Sequence, residues 1–221
     1  MKDFVRKDIL LDYIGTPNDF RDVMGARPSW DEYFMILAKV AATRSTCISR
    51  PTGALIVRNK QVLSTGYNGS MPGIAHCSDE GKCFRRSSGA SDAGKYDNCR
   101  SAHAEANAIA QAAKNGVNVG GASVYVTLCP CYVCTKLLVQ AGIKKVYYEF
   151  EYKSPDTKRD KLWAEALKQA GLEIKKVELS DIVLQKTLVS LLGATSWRHE
   201  LKPTGEPTGR IENINMEEIH K

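Results

Sequence analysis

His103-Ala104-Glu105 and, further along, Pro130-Cys131-Tyr132-Val133-Cys134 carry the side chains with the most chemistry to offer. One imidazole and two thiolates make three zinc ligands. A tetrahedral ion held this way keeps a fourth position for water, the arrangement of catalytic rather than structural zinc. Cys131 and Cys134 are three apart, so a helix would put both on one face. Near its N-terminus, positive partial charge favours thiolate over thiol. Zinc lowers the pKa of a bound water to roughly 7, but it does not move the protons afterwards. Glu105, two residues beyond His103, is the carboxylate placed to move them without being a ligand. Taken singly these signals are weak: a lone C-x-x-C suits a redox pair or half a structural zinc site, and a lone histidine is more often a satisfied core residue. Here each half opens an expected helix with a strand between them, and the combination carries the assignment.

Cysteine is informative beyond this pair. The chain has seven: Cys47, Cys77, Cys83, Cys99, Cys129, Cys131 and Cys134, and both ends are bare of them. An odd count without an export signal argues against a disulfide framework and for thiolate ligands. Cys47, Cys77, Cys83 and Cys99 are enough to close a second, structural zinc site. His76 could replace one thiol, and unrelated reduced thiols are the alternative. Cys129 reads as a small buried filler beside Pro130.

The elements that must position these groups follow from patterning. Ser29-Trp30-Asp31-Glu32 has capping-box spacing, and Trp30, Phe34, Leu37 and Ala41 recur at helical steps, predicting a helix to about Ser45. Ala54 to Val57 and Gln61 to Thr65 flank Arg58-Asn59-Lys60 as a β-hairpin. Gly66-Tyr67-Asn68-Gly69 then reads as a turn-rich loop. From there to about Asn98 the chain is polar and without period, a long insert of the kind that is functional or tied down. Ser101 to Lys114 predicts a helix stopped at Asn115-Gly116, Ser123 to Leu128 a strand, and Pro130 to Gly142 a helix opened by proline. Lys145 to Tyr148, Asp160 to Ala170 and Leu172 to Val177 continue as strand, helix, strand, and Ser180 to Leu192 adds a helix. Alternating strands and helices imply an α/β domain with a sheet layered between helices.

At 221 residues, against ~150 per domain, one domain with terminal extensions is expected: residues 1–28, a domain over 29–178, and a C-terminal helix and tail over 179–221. The composition, 43% apolar and 25% charged, is ordinary for a globular chain and excludes collagen, long disorder and a coiled coil. No apolar run approaches the ~20 residues of a membrane-spanning helix. Met1 to Asp8 mixes acids with bases and lacks the apolar core of a signal peptide, so a cytoplasmic protein is expected. The net charge of +6 favours anionic partners. No block of like charge marks a nucleic-acid arm, and a nucleotide phosphate explains the charge as well as a polynucleotide would.

The H-x-E…P-C-x-x-C pattern is that of the zinc nucleobase deaminases, and the chain resembles the cytidine-deaminase superfamily, most of all its deoxycytidylate (dCMP) deaminases. The similarity runs through roughly residues 29–178. It includes Ser29-Trp30-Asp31-Glu32-Tyr33-Phe34, Thr43-Arg44-Ser45-Thr46-Cys47, Gly66-Tyr67-Asn68-Gly69-Ser70, His76-Cys77, and His103-Ala104-Glu105-Ala106-Asn107-Ala108-Ile109. The resemblance implies a three-layer α/β/α fold with a five-stranded mixed sheet. It implies hydrolysis of dCMP to dUMP and ammonia for thymidylate synthesis, with Glu105 shuttling protons to the ring N3 and to the departing amino group. It also implies a second zinc, with Cys47 and Cys77 the best-matched positions. Asn68 is then a candidate for the deoxyribose hydroxyl, the Ala104 amide for the pyrimidine carbonyl, and Tyr152 for the phosphate. Relatives that are hexamers activated by dCTP and inhibited by dTTP make the 66–70 segment and Lys114 candidate effector contacts. A tRNA adenosine deaminase, a free-cytidine deaminase and a competence-associated binding protein are the rival readings.

Overall fold

The computed structural model describes residues 28–89, 99–151 and 157–181, with 183, 184, 187 and 188 beyond them. The N-terminal extension up to residue 27, Tyr152 and the tail after Gly193 lie outside these residues. Contacts divide the chain into two units, and Pro28–Ser180 is the one that holds the sheet.

Ser29 closes the expected capping box, its hydroxyl accepting from the Glu32 amide while its own amide donates to the Glu32 carboxylate at 2.7 Å. The helix α1 (Trp30–Ala42) stops three residues before Ser45. The chain leaves the helical path there because the Ser45 hydroxyl is drawn to Asn68, donating to its carbonyl and its side-chain oxygen. Strands β1 (Gly53–Arg58) and β2 (Gln61–Tyr67) are joined by Asn59 and Lys60. These residues have φ of 53° and 61°, the left-handed pair that matches the twist of a tight hairpin.

The expected loop at 66–69 is a strand for most of its length. Gly66 and Tyr67 belong to β2, and β3 (Gly69–Ser70) pairs with β4 (Ser101–Ala102). Ser101 and Ala102 therefore extend where a helix start is predicted, because their backbone bonds are taken by β3. The insert is not structureless either. It contains two single turns of helix, α2 (Cys77–Glu80) and α3 (Phe84–Ser87), each too short to show a period in sequence. Then follow α4 (Ala104–Lys114), β5 (Ser123–Leu128), α5 (Tyr132–Gln140), β6 (Lys145–Phe150), α6 (Thr157–Gln169) and β7 (Glu173–Lys176).

The sheet order is β2-β1-β5-β6-β7, antiparallel across β2, β1 and β5 and parallel across β5, β6 and β7. This is the expected mixed five-stranded sheet. One face packs Ala54, Ile56, Val124, Val126 and Val146 against Ala104, Ala108 and Leu138 of α4 and α5. The other packs Leu55, Val57 and Tyr125 against Phe34, Met35 and Ala38 of α1. Each fully buried large side chain, such as Met35, Leu55, Ile56 and Leu138, contributes about 1.5–3 kcal/mol. Two polar ties fix α1 further: Lys39 Nζ bonds both Glu149 carboxylate oxygens at 2.6 and 2.7 Å, and the Tyr125 hydroxyl donates to Asp31 at 2.7 Å. Among the described residues, no helix is long and apolar enough to cross a membrane.

Candidate metal centre and active-site pocket

Both halves of the donor motif sit where a helix begins. His103 is the N-cap of α4 and Cys131 the N-cap of α5; both backbones are extended, and neither side chain caps its own helix. Cys131 thus precedes the first helical residue, and Pro130 stands outside the helix it was expected to open. The Cys131 carbonyl accepts from the amide and hydroxyl of Thr135, both at 2.9 Å, which fixes the cap. Cys134 lies in the first turn and is buried.

His103 Nδ1 is 3.4 Å from the Sγ of Cys131 and 3.4 Å from that of Cys134. The three donor atoms lie within 4.8 Å of one another, the only such set of metal-ligating side chains among the described residues. Zinc bonds of about 2.3 Å to sulfur and 2.0–2.1 Å to nitrogen, at tetrahedral angles, separate the two atom types by about 3.5 Å. The donor set fits zinc. Without an ion, hydrogen bonding from Cys134 holds the Cys131 thiol below its ordinary range, and the same sharing pushes Cys134 up. The bond to Cys131 raises the imidazole of His103.

Glu105 stands beside this set, 4% exposed, with its carboxylate close enough to Cys134 and His103 for each to act on its titration. Burial pushes it up to about 6. A cavity opens from His103, Ala104, Glu105 and Cys131 past Asn68 to Cys47, Cys83 and Cys99. Ala104 is fully buried at the first position of α4, where backbone amides have no partner within the helix. Asn68 lines the cavity with most of its amide committed. Its Oδ1 accepts from Ser45 and from the Thr52 amide, and its Nδ2 donates to the Arg50 carbonyl at 2.9 Å. One Nδ2 hydrogen is left over.

Cys47, Cys83 and Cys99 share the cavity wall, and Cys77 is buried. Burial pushes the Cys99 thiol up, with the nearby thiols of Cys47, Cys83 and Cys77 adding to the effect. The structure therefore clusters these four without bringing three of them within the donor spacing of the first set. The His76 Nδ1 beside them is buried and has no hydrogen-bond partner. Cys129 is half-buried, its amide donating to the Phe150 carbonyl at 2.8 Å, and stays outside the donor set. Lys114 is exposed at the end of α4.

Several lining residues escape sequence reasoning: Ser49, Arg50, Thr52, Arg85, Arg86 and Ser101. Only the Arg85-Arg86 doublet beside Cys83 offered a signal, and it lies in a stretch without period.

A half-open zinc donor set at two helix starts on a three-layer α/β/α sheet, with a buried carboxylate alongside, defines a zinc-dependent deaminase site. The family described as the cytidine and deoxycytidylate deaminase zinc-binding region matches residues 28–150, and the chain belongs to it. It is 43% identical over 159 residues to ComE operon protein 2 of Bacillus subtilis, covering 72% of this chain and 76% of that protein. It is 39% identical over 160 residues to the deoxycytidylate deaminase of Schizosaccharomyces pombe, covering 72% of this chain and 46% of that protein. The chain thus spans about half the length of the yeast relative. The dCMP deaminase of cyanophage S-TIM5, solved in complex with dCMP and dUMP, superposes with a TM-score of 0.52 at 29% identity, covering 69% of this chain and 99% of that one.

Proposed function

We propose that the chain hydrolyses dCMP to dUMP and ammonia, supplying dUMP for thymidylate synthesis, with residues 29–178 as the deaminase domain. The observation that carries this reading is Glu105, buried in a cavity that it lines together with His103 and Cys131, two of the three zinc donors, with Cys134 completing the set beside them. Zinc on those donors supplies the Lewis acidity that brings a water's pKa to about 7. Glu105 takes a proton from the attacking water and passes it to ring N3 as the new oxygen bond to C4 forms. It then takes the proton of the new C4 hydroxyl and delivers it to the amino nitrogen, the C4–N4 bond breaks as the C4 carbonyl forms, and ammonia departs. The Ala104 amide donates to the pyrimidine carbonyl oxygen, and the remaining Asn68 Nδ2 hydrogen meets the deoxyribose hydroxyl. Tyr152 joins the phosphate end. A binding protein that merely kept the fold would have no use for a carboxylate buried beside the donors, so Glu105 favours the enzyme.

Ammonia release measured side by side from dCMP, cytidine, dCTP and a tRNA tests this. Turnover of dCMP at least tenfold above the others is expected, and a preference for any other substrate overturns it.

The reading extends to a cytoplasmic homo-hexamer regulated by dCTP and dTTP, and to a second, structural zinc held by Cys47, Cys77, Cys83 and Cys99 or with His76 in place of one. The unpartnered, buried His76 Nδ1 and the clustered thiols support that second ion. Atomic emission on the purified chain should give close to two zincs per chain. A value of one removes the structural site.

A further inference from the structure

We propose that Ser45 is a positioning residue: it holds the Asn68 side chain in place, so that the spare Nδ2 hydrogen of Asn68 stays presented to the cavity. The inference rests on the deamination reading above and concerns the sugar rather than the reacting base. Asn68 lines the cavity, is 8% exposed and stands between β2 and β3, where the 45–52 loop surrounds it. Its amide donates to the Thr52 carbonyl at 3.1 Å, and its carbonyl accepts from the Thr46 amide at 3.2 Å. Its Oδ1 accepts from the Thr52 amide at 2.8 Å, and its Nδ2 donates to the Arg50 carbonyl at 2.9 Å. All four partners are backbone groups, common to nearly any sequence in that loop.

Ser45 supplies the one side-chain partner of Asn68 among the described residues. Its hydroxyl lies 2.6 Å from Oδ1 and 2.9 Å from the Asn68 carbonyl oxygen, and it accepts from the Cys47 amide at 3.1 Å. The single hydroxyl hydrogen is therefore shared between the backbone and side-chain oxygens of one residue, a bridge that limits rotation between them. The Thr52 amide and the Arg50 carbonyl decide which end of the Asn68 amide is which, because one only donates and the other only accepts. Ser45 decides how far that amide can swing. Without the hydroxyl, Oδ1 keeps one anchor, and the side chain can pivot about the Thr52 and Arg50 bonds. A ligand hydroxyl that accepts from the spare Nδ2 hydrogen needs it held to within about 0.5 Å, the precision that supporting hydrogen bonds provide. Ser45 belongs neither to the donor set nor to the cavity lining, so it reaches a ligand only through a neighbour.

The test is the ratio of dissociation constants for 2′,3′-dideoxy-UMP and dUMP, measured by calorimetry on the zinc-loaded full chain. Neither ligand carries an amino group to lose, so turnover does not interfere. The wild-type chain should bind dUMP about tenfold more tightly, because the dideoxy ligand leaves a buried donor unpaired. In Ser45→Ala that preference should fall at least threefold through weaker dUMP binding, with the dideoxy ligand within twofold of its wild-type constant. Ser45→Thr, which keeps the hydroxyl, should restore the preference, and thermal melts confirm that each variant is folded. Equal weakening of both ligands in Ser45→Ala marks a purely structural role and overturns the proposal. So does a ratio unchanged from wild type, or a wild-type chain that binds the two ligands equally. The deamination reading is separable from this result. A preference that falls as expected in a chain releasing no ammonia from dCMP supports the role of Ser45 and sinks that reading. Ammonia release from dCMP with the preference intact in Ser45→Ala does the reverse.

Discussion

Glu105→Gln will lower kcat for dCMP by about a thousandfold or more while the purified variant keeps its full zinc content. General acid–base groups typically contribute about 10²–10⁴-fold, and this carboxylate is assigned two successive proton transfers, with no other carboxylate lining the cavity among the described residues. Glutamine matches its shape and is not one of the three donors, so the donor set has no reason to rearrange. It also removes the cost of burying a carboxylate that is 4% exposed, so the melting temperature should hold or rise. Loss of activity with gain of stability is a signature that a purely structural residue would not give. A variant whose kcat stays within tenfold of wild type would take the shuttle away from Glu105.

Gly66→Ala will cost about 3 kcal/mol of stability, a fall of roughly 6–12 °C in melting temperature for a chain of this size. It will also depress activity in the molecules that remain folded. A Cβ at Gly66 would lie 2.2 Å from the Ala104 carbonyl oxygen and 2.5 Å from the Ala108 nitrogen. Both are backbone atoms of α4, so relief requires the helix itself to move, and His103 and Glu105 move with it. Gly53→Ala is the matched control. Its Cβ would lie 2.1 Å from the Ala38 oxygen and 2.5 Å from the Ala42 nitrogen, a similar collision with α1, which carries no donor. Comparable melting losses with a kcat per folded molecule much lower in Gly66→Ala are expected, and equal kcat values in the two variants would refute the link to the donor set.

How far the sequence could be read depended on the length over which its signals act. The 29–42 helix, the hairpin and the strands of the mixed sheet announce themselves through caps, alternation and period. The donor residues were legible because zinc chemistry demands those side chains and leaves a short motif. The arginines that line the cavity were not, because a four-residue turn such as Phe84–Ser87 is too short for a period to repeat. Ser101 and Ala102 misled for a related reason: their helical propensity is overridden by ladder partners far upstream, Ser70 for Ser101 and Gly69 for Ala102. Gly66 looked like a turn residue, and its role emerges only from the helix it faces. Cys131 was placed inside its helix by the proline before it, when the chain uses it as the cap.

The two colliding glycines are near neighbours across the hairpin, with Gly66 opposite Ala54 and Tyr67 opposite Gly53. At that point α1 and α4 press backbone to backbone on opposite sides of the same ribbon, with no side chain between to act as a cushion. That stretch of the hairpin is therefore an anvil that cannot yield by rotamer changes. Compliance that admits a nucleotide and releases its product must then lie elsewhere in the lining, such as the single turn that carries Arg85 and Arg86, where entry and exit can be retuned without disturbing the atoms that do the chemistry.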